Sequence, residues 1–450
     1  MDKIKIGVLG AGRGRMMIKY CALAGNAELV AVCDSYEPFL NRVKEQLGAQ
    51  LDGDKVTFYT DFEEFIKHDM DAVILSNYAN DHAPFAIRCL KAGKHVFSEC
   101  LPCANMKEAV ELVEAVESSD KLYAFSENYC YFPATMEMRK LYREGKLGEF
   151  EYGEGEYIHN CEPVWPEITQ GNPDHWRNNL YSTYYCTHGT GPLIHITGLR
   201  PVRVTGFETP YNARNLRMGS KAGGYSILMM EMENGSYMKV AQGMGPSRDS
   251  VWYSLYGSKG RIESARDDTR EYEPEPGMGS GVCQIYTNLD EYEGESAIYN
   301  AKTYEPKDDF SEKAGGYGHS GSDYYDMWNF VEKLRGNPDA DVIDVYEALD
   351  MGLPGILGYE SIMKGSIPVE IPNFRFAAER ERYRCDTGCT DPAKAGDMLW
   401  PCYHKGNPEI DPQVYEKAKQ IWLECEPDSL AQFFEEEGKK TKYGEKKKKD

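Results

Sequence analysis

A chain of 450 residues with a formal charge of −22 lacks the basic surface that nucleic-acid phosphates require. Its hydrophobic content of 41% and charged content of 28% are those of a soluble globular protein large enough for two domains. No segment is apolar for long enough to span a membrane, Met1-Asp2-Lys3 leads straight into a strand rather than a signal peptide, and 13 cysteines lack disulfide-framework spacing, so a cytoplasmic location is expected.

In chain order, short apolar runs at 4–9, 29–33, 72–75, 95–97 and 122–125 alternate with amphipathic helical patterns. Continuous apolar strands separated by helices predict a parallel sheet covered on both faces, a Rossmann-type α/β domain over residues 1–132. A helix at 134–145 ends that rhythm, and strands then dominate at 150–157, 202–209, 225–232, 237–242, 251–256 and 260–263. Asn234-Gly235 between two of them is a hairpin signal. The second domain, 133–375, is therefore expected to be α/β with an open, mostly antiparallel sheet, closed by helices at 322–335 and 345–363. Residues 376–450 read as a loosely structured extension with one helix near 413–424 and a solvated, lysine-rich tail.

The first strand runs into Gly10-Ala11-Gly12-Arg13-Gly14-Arg15 and then a helix. Glycines at such a turn let backbone approach a pyrophosphate held on the helix N-terminus. The third glycine falls one residue earlier than the usual spacing, with Arg15 in its place. Asp34 ends the second strand, where a carboxylate accepts the ribose hydroxyls and repels a 2′-phosphate, so NAD is expected rather than NADP. A tight turn with a capping aspartate is the structural alternative.

Ser76-Asn77, the run from Asn80 through His82 to Glu99, and the blocks at 144–150, 256–263 and 344–372 resemble the Gfo/Idh/MocA oxidoreductase family over roughly residues 3 to 375. The resemblance implies an NAD-binding Rossmann domain, with Ser76, Asn77, His82, Glu99 and Asn128 near the cofactor. It also implies a second domain whose sheet mediates homo-dimers or tetramers. Two family features are absent: the lysine after the fifth strand, where Glu99-Cys100-Leu101-Pro102 stands, and an Asp-x-Gly-x-His motif. In place of the latter the chain has Tyr185-Cys186-Thr187-His188-Gly189-Thr190-Gly191-Pro192, followed later by Gly318-His319-Ser320-Gly321-Ser322-Asp323. Both departures are similar to the family's NAD-dependent glycosidase branch, typified by α-N-acetylgalactosaminidase. That branch's motifs also match Glu127, Asn128, Tyr131, Tyr157 and His159.

The branch implies a redox-neutral glycosidase: transient C3 oxidation of a sugar, elimination, water addition and re-reduction. His188 is the expected acid–base residue because imidazoles titrate near neutrality. Tyr185 and Tyr157 join it, although a phenol needs its pKa lowered to act as a base. Glu127, Tyr131, His159 and His319 are expected to hold the sugar, with Trp176 stacking on it and Arg177 bonding it. The glycines around His188 are expected to let backbone crowd against sugar and nicotinamide. His188 and His195 share a helix face without a third ligand, and Cys385, Cys389, Cys402 and His404 are too loosely spaced for zinc, so no metal is expected. Cys100 and Cys186 are read as packing residues. A sugar or cyclitol dehydrogenase and a non-catalytic NAD-binding protein are the remaining readings.

Overall fold

The computed structural model describes residues 3–50, 55–246, 249–264, 284–289, 300–303 and 309–424. Strands β1 (Ile4–Leu9), β2 (Ala27–Cys33), β3 (Thr57–Tyr59), β4 (Ala72–Leu75), β5 (His95–Glu99) and β6 (Tyr123–Ser126) form a parallel sheet in the order β3-β2-β1-β4-β5-β6. Every residue of β4 and β6 is buried, as expected for strands covered by helices on both faces. The helices that cover them include Arg15–Leu23, His82–Lys91 and Met106–Glu117, the last capped by the Asn105 side chain accepting from the Glu108 amide. β3 escapes the sequence reading because its three residues are exposed or half-buried and carry no apolar run.

The second sheet contains β7 (Phe150–His159), β8 (Pro201–Glu208), β9 (Tyr225–Met232), β10 (Tyr237–Met244), β11 (Ser250–Gly257), β12 (Gly260–Ser264), β13 (Gln284–Leu289), β14 (Asn300–Thr303) and β15 (Val369–Glu370). Their order is β14-β13-β12-β11-β7-β10-β9-β8-β15, antiparallel except where β10 runs parallel to β7. The helix Val345–Met363 lies close on this sheet; a Cβ at Gly206 would meet the Gly358 carbonyl oxygen at 2.2 Å. The helix Ser322–Leu334 follows these strands in sequence yet packs on the parallel sheet, where Phe330 lies 5.0 Å from Phe97.

Past residue 375 the described chain carries short helical turns and the helix Pro412–Glu424, where one is expected near 413–424. Polar ties fasten this segment to the rest of the chain. Asp386 accepts from the Lys107 amide (2.8 Å), Lys394 pairs with Glu108 (2.7 Å), and Pro401 accepts from the Tyr359 hydroxyl (2.7 Å). Near the end the Tyr415 hydroxyl donates to the Gly219 carbonyl at 2.9 Å. The lysine-rich tail lies outside the described residues. Among the described residues no helix is long and apolar enough to cross a membrane.

Candidate functional site

The glycine turn has the shape a dinucleotide needs. Gly10 has φ +96°, and a Cβ there would meet the Ser76 carbonyl oxygen at 2.4 Å; one at Gly14 would meet the Gly10 carbonyl oxygen at 2.2 Å. These two glycines close the turn against β4, whereas a Cβ on Gly12 would meet only the Phe39 ring, at 3.6 Å. Gly12 is thus the open position where another backbone or phosphate can approach. The following helix starts without a side-chain cap, leaving its first N–H groups to a ligand. The Ser76 hydroxyl points to the Leu9 and Gly10 carbonyls (2.9 Å each), so it braces the loop from beneath. Asp34 accepts N–H bonds from Ala11 (2.7 Å) and Tyr36 (2.8 Å); burial raises its pKa and those bonds oppose the rise. Arg15 is exposed at the first helical position. His82 is 1% exposed, holds the Asn77 carbonyl at 3.2 Å, and is kept neutral by burial, which lowers its pKa to about 4. It therefore supports the Asn77 loop through the backbone. Asn77 and Asn128 each have a buried amide oxygen without a partner, and such oxygens suit a carboxamide donor.

Arg13 and Glu99, both expected at the cofactor, pair with each other, and Arg13 also reaches Asp323 on the helix Ser322–Leu334. The Arg13 guanidinium bonds Asp323 through two nitrogens (3.1 and 2.9 Å) and reaches Glu99 at 2.7 Å. Asp323 also accepts from Asn128 (3.0 Å) and meets His319 Nδ1 at 3.0 Å. Burial would raise the Asp323 pKa, but Arg13 and His319 outweigh it and hold the carboxyl well below its usual range. Burial raises Glu99, with Arg13 opposing. His319 and Ser320 take left-handed φ values of 52° and 55°, a conformation costly for residues with a Cβ, and the Asp323 contact holds His319 there. His319, expected to hold the sugar, thus spends Nδ1 on Asp323; its ring lies 6.1 Å from that of Tyr129. Sequence reasoning quoted the motif around Asp323 but passed over this residue.

His188 occupies the first turn of the helix Thr187–Thr197. Its Nδ1 lies 2.7 Å from Glu127 Oε1, and its Nε2 lies 4.0 Å from Cys100 Sγ. Glu127 is wholly buried, and its second oxygen has no partner. Tyr129 stacks on the imidazole at 4.3 Å, Tyr157 meets it edge-on at 4.7 Å, and Tyr185 lies at 5.6 Å. Burial pushes both the Tyr157 and Tyr185 phenols well above their ordinary range, with Arg177 opposing in each. Neither phenol has the lowered pKa that a phenolate base requires.

The glycines beside His188 serve the fold. A Cβ on Gly189 would strike Val240 at 2.4 Å, and one on Gly191 would strike Glu127 at 2.6 Å. They let the helix sit on the sheet and let Glu127 reach His188, rather than crowding sugar or nicotinamide. Tyr131 is also reassigned: its hydroxyl donates to the Asp341 carbonyl at 3.0 Å, and its ring neighbours His195 at 5.8 Å. Tyr129 faces His188 from that turn, a choice that sequence could not make inside a 3₁₀ segment. His195 is itself engaged by Glu347 at 2.7 Å. Cys186 donates to the Met351 carbonyl and is pushed up to about 12 by burial, consistent with packing.

Beside this cluster lies a cavity lined among others by Tyr157, His159, Arg177, Tyr185 and Gln242. His159 pairs with Asp249 at 2.8 Å. Trp176 is not among the lining residues; it stacks on Tyr185 (6.2 Å) and lies under the Arg177 guanidinium (4.6 Å), so it shapes the site through those two. Cys100, Glu127 and His188 place ligand-type atoms within 4.8 Å of one another, the one such trio among the described residues. Two of its members are already hydrogen-bonded to each other. His404, of the zinc-like set, is engaged by Glu208 at 2.5 Å.

A parallel sheet whose glycine turn opens at Gly12, joined to a second domain that delivers a buried acid–base group, is the frame of a nicotinamide-dependent oxidoreductase. Residues 4–127 match the oxidoreductase family with an NAD-binding Rossmann fold, Gfo/Idh/MocA, and residues 286–379 match the glycosyl hydrolase 109 C-terminal domain. Residues 4–127 are thus a Gfo/Idh/MocA-type NAD-binding Rossmann domain, and the chain is an NAD-binding enzyme. A glycosyl hydrolase family 109 protein of Saccharopolyspora erythraea is 24% identical over 399 residues, covering 83% of each chain. The α-N-acetylgalactosaminidase of Shewanella oneidensis is 24% identical over 401 residues, 83% of this chain and 85% of that one. In fold the chain is similar to scyllo-inositol dehydrogenase from Lactobacillus casei, solved with NAD(H) and scyllo-inositol (TM-score 0.62, 17% identity, 82% and 99% covered).

Asp34 directly follows β2 beside the glycine turn, where a carboxylate is expected to accept ribose hydroxyls, and its replacement by alanine tests that role. NAD binding measured by calorimetry should weaken by roughly 1.5–3 kcal/mol. Unchanged affinity would leave Asp34 as a brace for the Ala11 and Tyr36 amides alone.

Proposed function

We propose that this enzyme cleaves a glycoside by a redox-neutral route. The observation that carries the reading is His188 held by Glu127 beside two protonated tyrosines, at a site where Cys100 stands in place of a lysine. The Gly10–Gly14 turn, Asp34, Asn77 and Asn128 would hold NAD, which would supply reversible hydride transfer at C3 of the sugar. The carbonyl that results acidifies the neighbouring C2 proton.

The protein's part is then proton movement. Glu127 accepts from Nδ1–H, which leaves the lone pair on Nε2 and makes that atom the base. His188 Nε2 takes the C2 proton, the C2–H electrons form the C1=C2 bond, and the C1–O bond breaks. The phenol of Tyr185 or Tyr157 donates its proton to the departing oxygen. Water's oxygen then adds to C1 as the tyrosinate takes its proton back, His188 returns a solvent-exchanged proton to C2, and the C3 carbonyl would be reduced again. His159, fixed by Asp249, and Arg177 line the cavity where the sugar sits. Homo-oligomerisation belongs to the same reading, through the sheet face where Phe207, Ile227 and Tyr237 are exposed.

A plain dehydrogenase is the second reading, since a His188–Glu127 pair can also accept a hydroxyl proton. Cleavage of aryl glycosides in heavy water separates the two. The proposal expects deuterium at C2 of the released sugar, dependence on bound NAD, and no net NADH absorbance. Steady NADH formation from a free sugar, with no glycoside cleaved across a broad panel, would establish the dehydrogenase.

A further inference from the structure

Arg177 is a cation without an anion. Among the described residues its guanidinium has no carboxylate partner and no side-chain hydrogen bond; its contacts are the ring faces of Trp176 at 4.6 Å and Tyr185 at 5.1 Å. Cation–π contacts stabilise the charge through its face, leaving the N–H groups at its edge unused. A charge removed from bulk water is costly unless something pairs with it, and here it borders a cavity.

Independent of Arg177, the same cavity holds polar atoms that the fold leaves unsatisfied. Gln242 is 1% exposed, and neither its amide nitrogen nor its amide oxygen has a partner. The hydroxyls of Ser182, Tyr184 and Ser220 are likewise buried and unpartnered. Buried polar groups in native proteins are normally satisfied, so a cluster of orphans around one cavity marks where a polar ligand completes them. All lining residues fall between Tyr157 and Met244, none from the glycine turn, so the charge does not serve the cofactor phosphates.

We propose that the cavity takes an acidic sugar, its carboxylate on the Arg177 guanidinium and its hydroxyls on the Gln242 amide and neighbouring groups. Arg177 is the one lysine or arginine in the lining, and His159 is already matched by Asp249. A single positive charge balances a single negative one, and the planar fork of arginine fits the two oxygens of a carboxylate. A phosphate monoester, with nearly two charges, would leave one unmatched. The inference rests on the sugar reading above and names the substrate class within it.

The test is calorimetry on the NAD-loaded enzyme with free glucuronate and galacturonate against glucose and galactose, each of which presents both anomers. Glucose 6-sulfate and glycolate complete the panel. The uronates should bind about ten- to a hundredfold more tightly than their neutral parents. Arg177→Met should erase that gap and Arg177→Lys should keep part of it, both with wild-type NAD affinity. Equal affinity for uronate and parent overturns the acidic-sugar assignment and leaves the sugar reading standing. A sulfate ester that outbinds the uronates overturns the carboxylate assignment. Should no sugar of either kind bind, the sugar reading fails and glycolate decides: binding that depends on Arg177 upholds a carboxylate site, and no binding overturns it.

Discussion

Replacing His188 by alanine is expected to lower turnover about 10²–10⁴-fold, the usual contribution of a positioned acid–base group, with NAD affinity unchanged. The imidazole is 8% exposed between Tyr129 and Tyr157, and its short side-chain hydrogen bond runs to Glu127. Removing it therefore deletes the base and releases the Glu127 carboxylate, but touches nothing in the glycine turn. Steady-state kinetics on the cleaved glycoside, alongside NAD calorimetry, reads both effects. A loss below about tenfold at the optimal pH would place His188 among the packing residues. Glu127→Gln should fall between wild type and H188A, because the amide can still orient the ring but cannot stabilise its charged form.

The largest expected effect on stability comes from Asp323→Ala. Asp323 is 2% exposed and is shared by Arg13, His319 and Asn128, so its removal strands a guanidinium and leaves the left-handed turn at His319 unsupported. Breaking a buried ion pair from one side typically costs about 3–5 kcal/mol. The Arg13 side chain is 33% exposed and regains some water, so the lower end, about 3 kcal/mol, is expected from urea unfolding. Arg13→Met combined with Asp323→Ala should cost less than the two single changes added together, because the second change removes the stranded charge. Simple additivity would show that the pair is screened by solvent.

The apolar strands of both domains were readable because burial on both faces, or strict alternation, leaves a direct trace in residue type. β4 is continuous Ala-Val-Ile-Leu, whereas β3 has no comparable run and was not seen. The candidate site was legible as a neighbourhood more than as a set of contacts. His188, Glu127, Tyr157 and Tyr185 do meet, yet Arg13 was placed with the cofactor because its tandem position beside glycines suggests phosphate. Its partner Asp323 lies far away in the chain, and no local pattern records such a pairing. Gln242 was missed for a related reason: it alternates inward on β10 in register with Tyr157, a position that sequence assigns to an apolar residue. Likewise, the sequence shows the helix near 413–424 but not the ties made by residues 376–411, because polar side chains anchored to distant backbone leave no periodic signal.

That ordered C-terminal stretch has a kinetic consequence. It leaves the helix Met106–Glu117 through Arg384–Glu114 (2.8 Å) and Lys394–Glu108 (2.7 Å), then reaches the far sheet through His404–Glu208 (2.5 Å) and Tyr415. It works as a girdle fastened to both halves of the molecule. A hinge swing that parted the halves would have to break these ties together, so the cleft is held near one width throughout the cycle. Ligand exchange then depends on small rotations of side chains at the rim of the cavity. On the proposed glycosidase reading, turnover would then be paced by a local gate instead of a domain stroke.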